Sequence, residues 1–475
     1  MRELTDEMVA DWTAARPAPA AEPPQLVPHR HVARAGDVAV HPDGRRAVLS
    51  WSAPRIDPGL LNPALHVVAP DGTVTDLGPA PADARTPVWW GDRIFYLALT
   101  PPGLQGGMAV FDQDHRNLTA DLPACPTDLV QTDGAPIVVV ATGLDTEFHR
   151  LDDAWADARP GGTPIARVKG SHRPGRRAPL DIPLGPQHRL RYRAHDGLGL
   201  DALLVLPTGT TGAADGPFPL ITLVHGGPYD RWADDFQLGW VPSAQWFAQQ
   251  GFATFLPNPR GGLGRGHAFA AAVSHRVGLE EWQDVETGVD LLVERGIADP
   301  DRLGIAGWSH GGYLAAWATT RTDRFKAAFV GAGISHWPRQ VATGEWGRFE
   351  AALSDSLDTS PITYADRIRT PLLIVHGADD TNVPLEQAEL LHAAVPHSEL
   401  VVYPGEGHTF AQRANKIDLL NRARAFFAKV RDLRKPYATP ATEPQTTASG
   451  RLDAEAISPH RSDANRSRPT SQHGW

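Results

Sequence analysis

Cysteine is almost missing from this sequence: Cys125 stands alone in 475 residues. A single thiol excludes an intramolecular disulfide framework and any cysteine-based zinc cluster. Lysine is scarce as well, and the 45 basic side chains are mostly scattered arginines outnumbered by 55 carboxylates. The net charge of −10 disfavours a nucleic-acid role driven by a basic surface. No apolar run reaches the ~18 residues of a membrane span. The first residues, MRELTDE, are acidic and lack an apolar stretch, so they do not read as a secretory leader. Neither H-E-x-x-H nor G-x-x-x-x-G-K-[ST] occurs, and Gly262, Gly264 and Gly266 lack the spacing of a dinucleotide fingerprint. The pairs His29/His31 and His392/His397 have no further ligands beside them. These absences lead us to expect a reduced, soluble, cytoplasmic protein with no metal, no cofactor, and no nucleic-acid or membrane partner.

Glycine and proline are abundant, at 45 and 43 residues, and they divide the chain. Residues 1–36 read as a short N-terminal helix followed by a linker, Pro/Ala-rich from Arg16 to Pro28. From 37 to 185 short apolar runs alternate with turn chemistry. Asp43-Gly44 and Asp71-Gly72, each set between apolar runs, are strong hairpin signals. The recurrence is about 40–45 residues with four short strands per unit, the period of propeller blades. Only about three units fit before the Gly/Pro/Arg-rich connection from Arg159 to Pro186, and closure needs at least about four. A truncated β-propeller-like domain is therefore expected, with a plain antiparallel sandwich as the alternative.

Residues 186–435 change character to alternating strands and helices, which predicts an α/β domain with a doubly wound, mostly parallel sheet. The runs Leu220–Val224, Phe252–Leu256, Arg302–Ala306, Ala327–Val330 and Pro371–Val375 read as strands. Leu279–Arg295 reads as an amphipathic helix with Trp282, Val285, Val289 and Leu292 on one face. Residues 436–475 carry few large apolar side chains and read as a disordered tail.

Gly307-Trp308-Ser309-His310-Gly311-Gly312 satisfies G-x-S-x-G, with a strand running in and a helix running out. That is the setting of a nucleophile elbow, a strained turn that exposes a serine hydroxyl; the bland alternative is a Gly-rich turn with a capping serine. A serine needs a base to be nucleophilic at neutral pH, and the base needs an orienting acid. In this fold class acid and base follow the serine in that order. Asp379 and Asp380 compete for the acid in the loop after Leu372–Val375, and His408 follows the strand Glu399–Tyr403. The intervals from Ser309 to Asp380 and on to His408 are 71 and 28 residues, room for strand-and-helix units between them. His225-Gly226-Gly227-Pro228 follows another strand, upstream of the serine. Its glycines let a backbone N–H approach the oxygen that turns negative, which assigns an oxyanion hole to the N–H groups of Gly227 and His310.

In this order the segments resemble the prolyl oligopeptidase family of serine peptidases, in its acylaminoacyl-peptidase and dipeptidyl-peptidase branch. The matching stretches are HGGP (225–228), NPRGGLGRG (258–266), EWQDVETGVDLL (281–292), GWSHGGYLA (307–315), SPITYADRIRTPLLIVHGADDTNVP (360–384) and GEGHTF (405–410). The resemblance implies an α/β-hydrolase domain, a Ser309–Asp380–His408 triad chosen over one with Asp379, and substrate contacts at Asn382 and Val383, with Trp337 a looser pocket candidate. It also implies short-peptide or N-acyl/aminoacyl amide substrates and an acyl-enzyme intermediate. Members of that family usually carry a seven- or eight-bladed propeller as a size filter, which about 150 residues cannot form. An esterase, amidase or acyltransferase on the same machinery is the alternative, and a non-catalytic module built on a decayed hydrolase is a third. Formation of a homo-oligomer would be one way to restore the filter.

Overall fold

The computed structural model describes residues 26–32, 35–52, 63–100, 106–151, 165–169, 183–235, 242–433 and 458–459. The expected N-terminal helix, most of both linkers and all but two residues of the 436–475 segment lie outside them.

The first half is built of β-strands among its described residues, apart from one 3-10 turn at Ala35–Asp37. Three small antiparallel meanders follow one another: β1 (Val38–Val40), β2 (Arg46–Ser50), β3 (Ala64–Val68) and β4 (Val74–Pro79); β5 (Arg85–Trp90), β6 (Arg93–Leu99) and β7 (Met108–Asp112); β8 (Cys125–Val130), β9 (Ile137–Thr142), β10 (Asp145–Arg150) and β11 (Ala166–Lys169). The leading strands touch in sequence, β1 against β5 and β5 against β8. Apolar layers fill the spaces between sheets. Leu49, Leu65, Trp89 and Tyr96 join the first to the second, and Val88, Leu97, Leu129 and Val140 join the second to the third. Three sheets side by side, each contacting the next, are propeller units and not the two facing layers of a sandwich.

The second half is a nine-stranded mixed sheet: β12 (Gln187–Arg193), β13 (Gly199–Val205), β14 (Phe218–Val224), β15 (Ala253–Pro257), β16 (Ala298–Trp308), β17 (Phe325–Gly331), β18 (Leu372–Gly377), β19 (Glu399–Tyr403) and β20 (Ser458–Pro459). Their order is β19-β18-β17-β16-β14-β15-β13-β12-β20. The pairings among β14 to β19 are parallel, while β12 and β13 form an antiparallel flank. The sequence FPLITLV explains the position of β14, whose residues are all buried, because a central parallel strand is covered on both faces. The helices are α1 (Ala244–Gln249), α2 (His267–Ala270), α3 (Glu280–Glu294), α4 (His310–Arg321), α5 (Trp337–Thr343), α6 (Gly347–Ala351), α7 (Glu386–Ala394) and α8 (Arg413–Arg431). One core collects α3, α4 and α7 on one face of the sheet, and a second collects α1 and α8 on the other. The short β20 pairs with His188 and Arg189 of β12, a backbone contact within the segment expected to be disordered.

The two halves are locked together by the β9–β10 hairpin. At its tip, Gly143 N–H donates to Gly264 O at 2.8 Å, and Asp234 N–H donates to Leu144 O at 2.9 Å. Arg231 donates to Gly143 O and to Thr146 Oγ1. Arg189 bridges Asp145 (3.0 Å) and Asp234 (2.6 Å). Leu144 is buried in the α/β core with Leu203, Val205, Leu223 and Trp232. A second contact comes from the middle sheet, where the Thr100 hydroxyl meets His267 Nδ1 at 2.5 Å. Truncating a buried leucine removes its transfer energy and leaves a cavity. Leu144→Ala is therefore expected to lower stability by about 2–5 kcal/mol in urea unfolding. An unchanged midpoint would show that the hairpin is not seated in that core.

Candidate active site

Each sequence-assigned site residue sits just beyond the carboxyl end of a parallel strand, where open α/β sheets collect their sites. Ser309 follows β16, His225 to Gly227 follow β14, Trp337 follows β17, Asp380 follows β18 and His408 follows β19. Ser309 has φ 59° and ψ −122°, a strained conformation for a residue with a side chain. It is held by its own N–H, which donates to Gly331 O at 2.8 Å, and by its carbonyl, which accepts from Tyr313 N–H at 2.9 Å. Glycine is required around it by close approach. A Cβ on Gly307 would lie 2.2 Å from Gly311 O, and one on Gly311 would lie 2.3 Å from Val224 O. His310 opens α4, so its N–H is among the first-turn donors that no helix carbonyl can satisfy. Gly227 has φ +117°, and a Cβ there would meet Tyr229 N at 2.4 Å.

Asp380 is buried while Asp379 is exposed, a difference that their adjacency in the sequence concealed. One oxygen of Asp380 accepts from the N–H groups of Asn382 and Val383, both at 3.0 Å. The other accepts from His408 Nδ1 at 2.8 Å and faces His376 Nε2 at 3.4 Å. Burial pushes this carboxyl up, but the hydrogen bonds from His376 and His408 outweigh it and hold the pKa at about 2. The imidazole of His408 keeps its Nδ1 on the carboxylate, which leaves Nε2 as the exchanging nitrogen.

His408 is tied to the serine turn through Trp308, the neighbour of Ser309, whose Nε1–H donates to His408 O at 2.8 Å. The His408 loop itself folds around buried Glu406, whose carboxylate accepts from Ala411 N–H (2.6 Å), Gln412 N–H (2.9 Å) and Asn415 Nδ2 (2.9 Å). Phe410 packs edge-on against Trp308 at 5.2 Å.

The looser candidates divide. Val383 is fully buried, with its carbonyl taken by His376 Nε2 at 2.7 Å. The Asn382 carbonyl accepts from Gln340 Nε2 at 2.7 Å. Trp337 is fully buried and packs against Tyr313 at 5.2 Å and His310 at 6.5 Å.

Glu281, His376, Glu406 and Trp308 escaped the sequence reading as contributors to the site. For Glu281 a signal existed: it falls on the stripe of Val285, Gly288 and Leu292 on α3, so a carboxylate there is buried. It accepts from His310 Nε2 at 3.1 Å, with both side chains almost fully buried. Its neighbour Asp284 is buried too, in a two-pronged pair with Arg260 at 2.8 Å for each contact. Among the described residues no group of three or more His, Cys, Asp or Glu is arranged to hold a metal, and no helix is long and apolar enough to cross a membrane.

This is an α/β-hydrolase domain with a nucleophile-elbow turn, carried behind propeller-like units. Residues 240–433 match the profile of the prolyl oligopeptidase family. The uncharacterized peptidase YuxL of Bacillus subtilis is 32% identical over 256 residues, covering 50% of this chain and 38% of that protein. Dipeptidyl aminopeptidase BIII of Pseudoxanthomonas mexicana is 32% identical over 257 residues, covering 49% of this chain and 37% of that protein. The chain thus spans well under half the length of these relatives. The solved acylaminoacyl peptidase of Pyrococcus horikoshii superposes with a TM-score of 0.70 at 20% identity, over 84% of this chain and 71% of its own. That likeness covers both halves of the fold.

Asp380 yields a signed prediction. Its folded pKa lies below the ordinary 3.8, so its ionised form contributes stability that is fully present above about pH 5 and lost as pH falls towards 2. The stability gap between the wild type and Asp380→Asn, followed by chemical denaturation from neutral to acid pH, should narrow as pH drops. A gap independent of pH would contradict the ionised, paired carboxylate.

Proposed function

We propose that the protein is a serine peptidase that cleaves short peptides or N-acyl/aminoacyl amides through Ser309, Asp380 and His408. The observation that carries this reading is the 2.8 Å contact from His408 Nδ1 to Asp380, on a loop whose carbonyl is held by the residue beside Ser309. Ser309 Oγ attacks the substrate carbonyl carbon and gives its proton to His408 Nε2. Asp380 keeps the imidazole in the required tautomer and orientation. The oxygen that becomes negative lies against the N–H groups of Gly227 and His310. Collapse of the tetrahedral intermediate breaks the C–N bond, and the leaving amine takes the proton from His408. Water then attacks the acyl-enzyme, passing its proton to His408, which returns it to Ser309 Oγ as the acid leaves.

The choice of amide substrates draws on the relatives, whose printed names include a dipeptidyl aminopeptidase and an acylaminoacyl peptidase. Asn382, which is partly exposed, is assigned to the wall that receives the substrate, while Val383 and Trp337, fully buried, back that wall from inside. One observation favours a second reading, a small-molecule esterase, amidase or acyltransferase. The described residues carry three β units, fewer than a closed ring needs, and function follows the site and not the fold. The single cysteine fits a reducing, cytoplasmic setting.

Matched chromogenic amides and esters with free, dipeptidyl and N-acetylated amino ends separate these readings through kcat/KM. Amide turnover with preference for one amino-end type is expected, whereas turnover of esters alone would overturn the peptidase assignment. Ser309→Ala should lose about 10⁶-fold in kcat and all labelling by a fluorophosphonate.

A further inference from the structure

We propose that Glu281 is a positioning residue for the reaction, acting through the His310 side chain on the backbone N–H that faces the developing oxyanion. The inference rests on the hydrolase reading above and extends it to a residue on a different helix, to which none of the comparisons gives a role.

The argument begins with what can hold the turn after the serine. In the stretch Ser309-His310-Gly311-Gly312 the serine side chain is the reactive group, and the two glycines have none. His310 is therefore the first residue of α4 whose side chain can anchor the helix start. Its imidazole is buried, and Nε2 lies 3.1 Å from Glu281 Oε2. A carboxylate only accepts, so Nε2 carries the proton and donates. Nδ1 has no protein partner among the described residues. The Glu281 contact is thus the ring's one hydrogen bond among the described residues, beside its packing on Tyr313 and Trp337.

Glu281 is itself immobile. Its second oxygen accepts from Gly278 N–H at 2.6 Å. Gly278 in turn accepts from Trp317 Nε1 through its carbonyl, and a Cβ on it would lie 2.2 Å from the Tyr313 hydroxyl. Trp317 and Tyr313 both belong to α4, so the loop before α3 is wedged against the helix it steadies. The carboxylate, clamped at both oxygens, meets α4 at its first residue while the wedge meets it one and two turns further on.

A buried carboxylate with a histidine as its partner is a poor means of stabilising a fold. Burial of an ion is unfavourable, and among the described residues His310 is the only ion-pair partner of Glu281. An apolar side chain on the Val285–Leu292 stripe would fill the space without that penalty. What the pair supplies is placement: it holds the amide of residue 310 against the position where negative charge appears. An oxyanion donor loses effect steeply with misplacement, since about 1 Å at a reacting centre costs on the order of 100-fold in rate.

The test is a double-mutant cycle on kcat per active site, with sites counted by fluorophosphonate titration, for Glu281→Ala, His310→Ala and the double variant. Glu281→Ala should lower kcat per titrated site by about 10- to 100-fold while KM stays within about threefold. Glu281→Gln keeps the volume and one of the two accepting oxygens, so it should recover part of the rate. In the His310→Ala background, Glu281→Ala should cost less than about twofold more, because its path of action is already gone. Full additivity of the two losses would overturn the proposal. So would a drop confined to the fraction of titratable sites or to the melting temperature, with kcat per site unchanged in both Glu281 variants. A wild type inert towards both the substrate panel and the probe would instead overturn the hydrolase reading, and this inference with it.

Discussion

Bare backbone fills the space where β14, β16 and α4 meet, and the site depends on that closeness. Gly307 and Gly311 let a strand end, a helix start and the Val224 carbonyl approach within distances that exclude any Cβ. The chain can turn through the positive φ of Ser309 because both flanks of the turn are this thin. The same contact brings the His225–Gly227 loop beside the start of α4, since a Cβ on Gly311 would also lie 2.7 Å from His225 O. Enlarging either glycine would displace the serine turn, the helix and the neighbouring Val224–His225 backbone together.

Around that turn the interior is unusually rich in carboxylates, and each has its own donors. Asp380 is met by two backbone N–H groups and two histidines, Glu406 by Ala411 and Gln412 just before α8 and by Asn415 in its first turn, Asp284 by Arg260, and Glu281 by His310 and Gly278. A buried anion without donors is costly, so each of these residues dictates the local path of the chain. Loops that would otherwise be free at the sheet's carboxyl edge are in effect wound around acids. This is how a site composed almost entirely of loop residues is held in place.

Much of this was legible in the linear sequence, and the division follows range. The strand runs, the α3 stripe and the serine turn are local patterns, and they appear within a few residues of their expected bounds. The count of three β units also follows from local turn chemistry and chain length. Asp379 and Asp380 could not be separated by any local rule, because their difference lies in which one turns inward to His408. The roles of Glu281, His376 and Trp308 were hidden for the same reason. Each acts on a partner 29, 4 or 100 positions away, and only the packed sheet brings Trp308 to His408 and Glu281 to His310. The hairpin seat of Leu144 was equally unreadable, since a leucine after a glycine turn looks like any other apolar residue.

That seat has a consequence for how the architecture can vary. The anchors joining the halves, Gly143, Leu144, Asp145 and Thr100, all belong to the second and third β units or their connecting loops. The first unit is stacked on the second through Leu49, Leu65, Trp89 and Tyr96. The β region therefore has a fixed end and a growing end. Units can be gained or lost ahead of β1 with the attachment to the catalytic sheet left intact, as an array extends from its last tile without disturbing the wall it is fixed to.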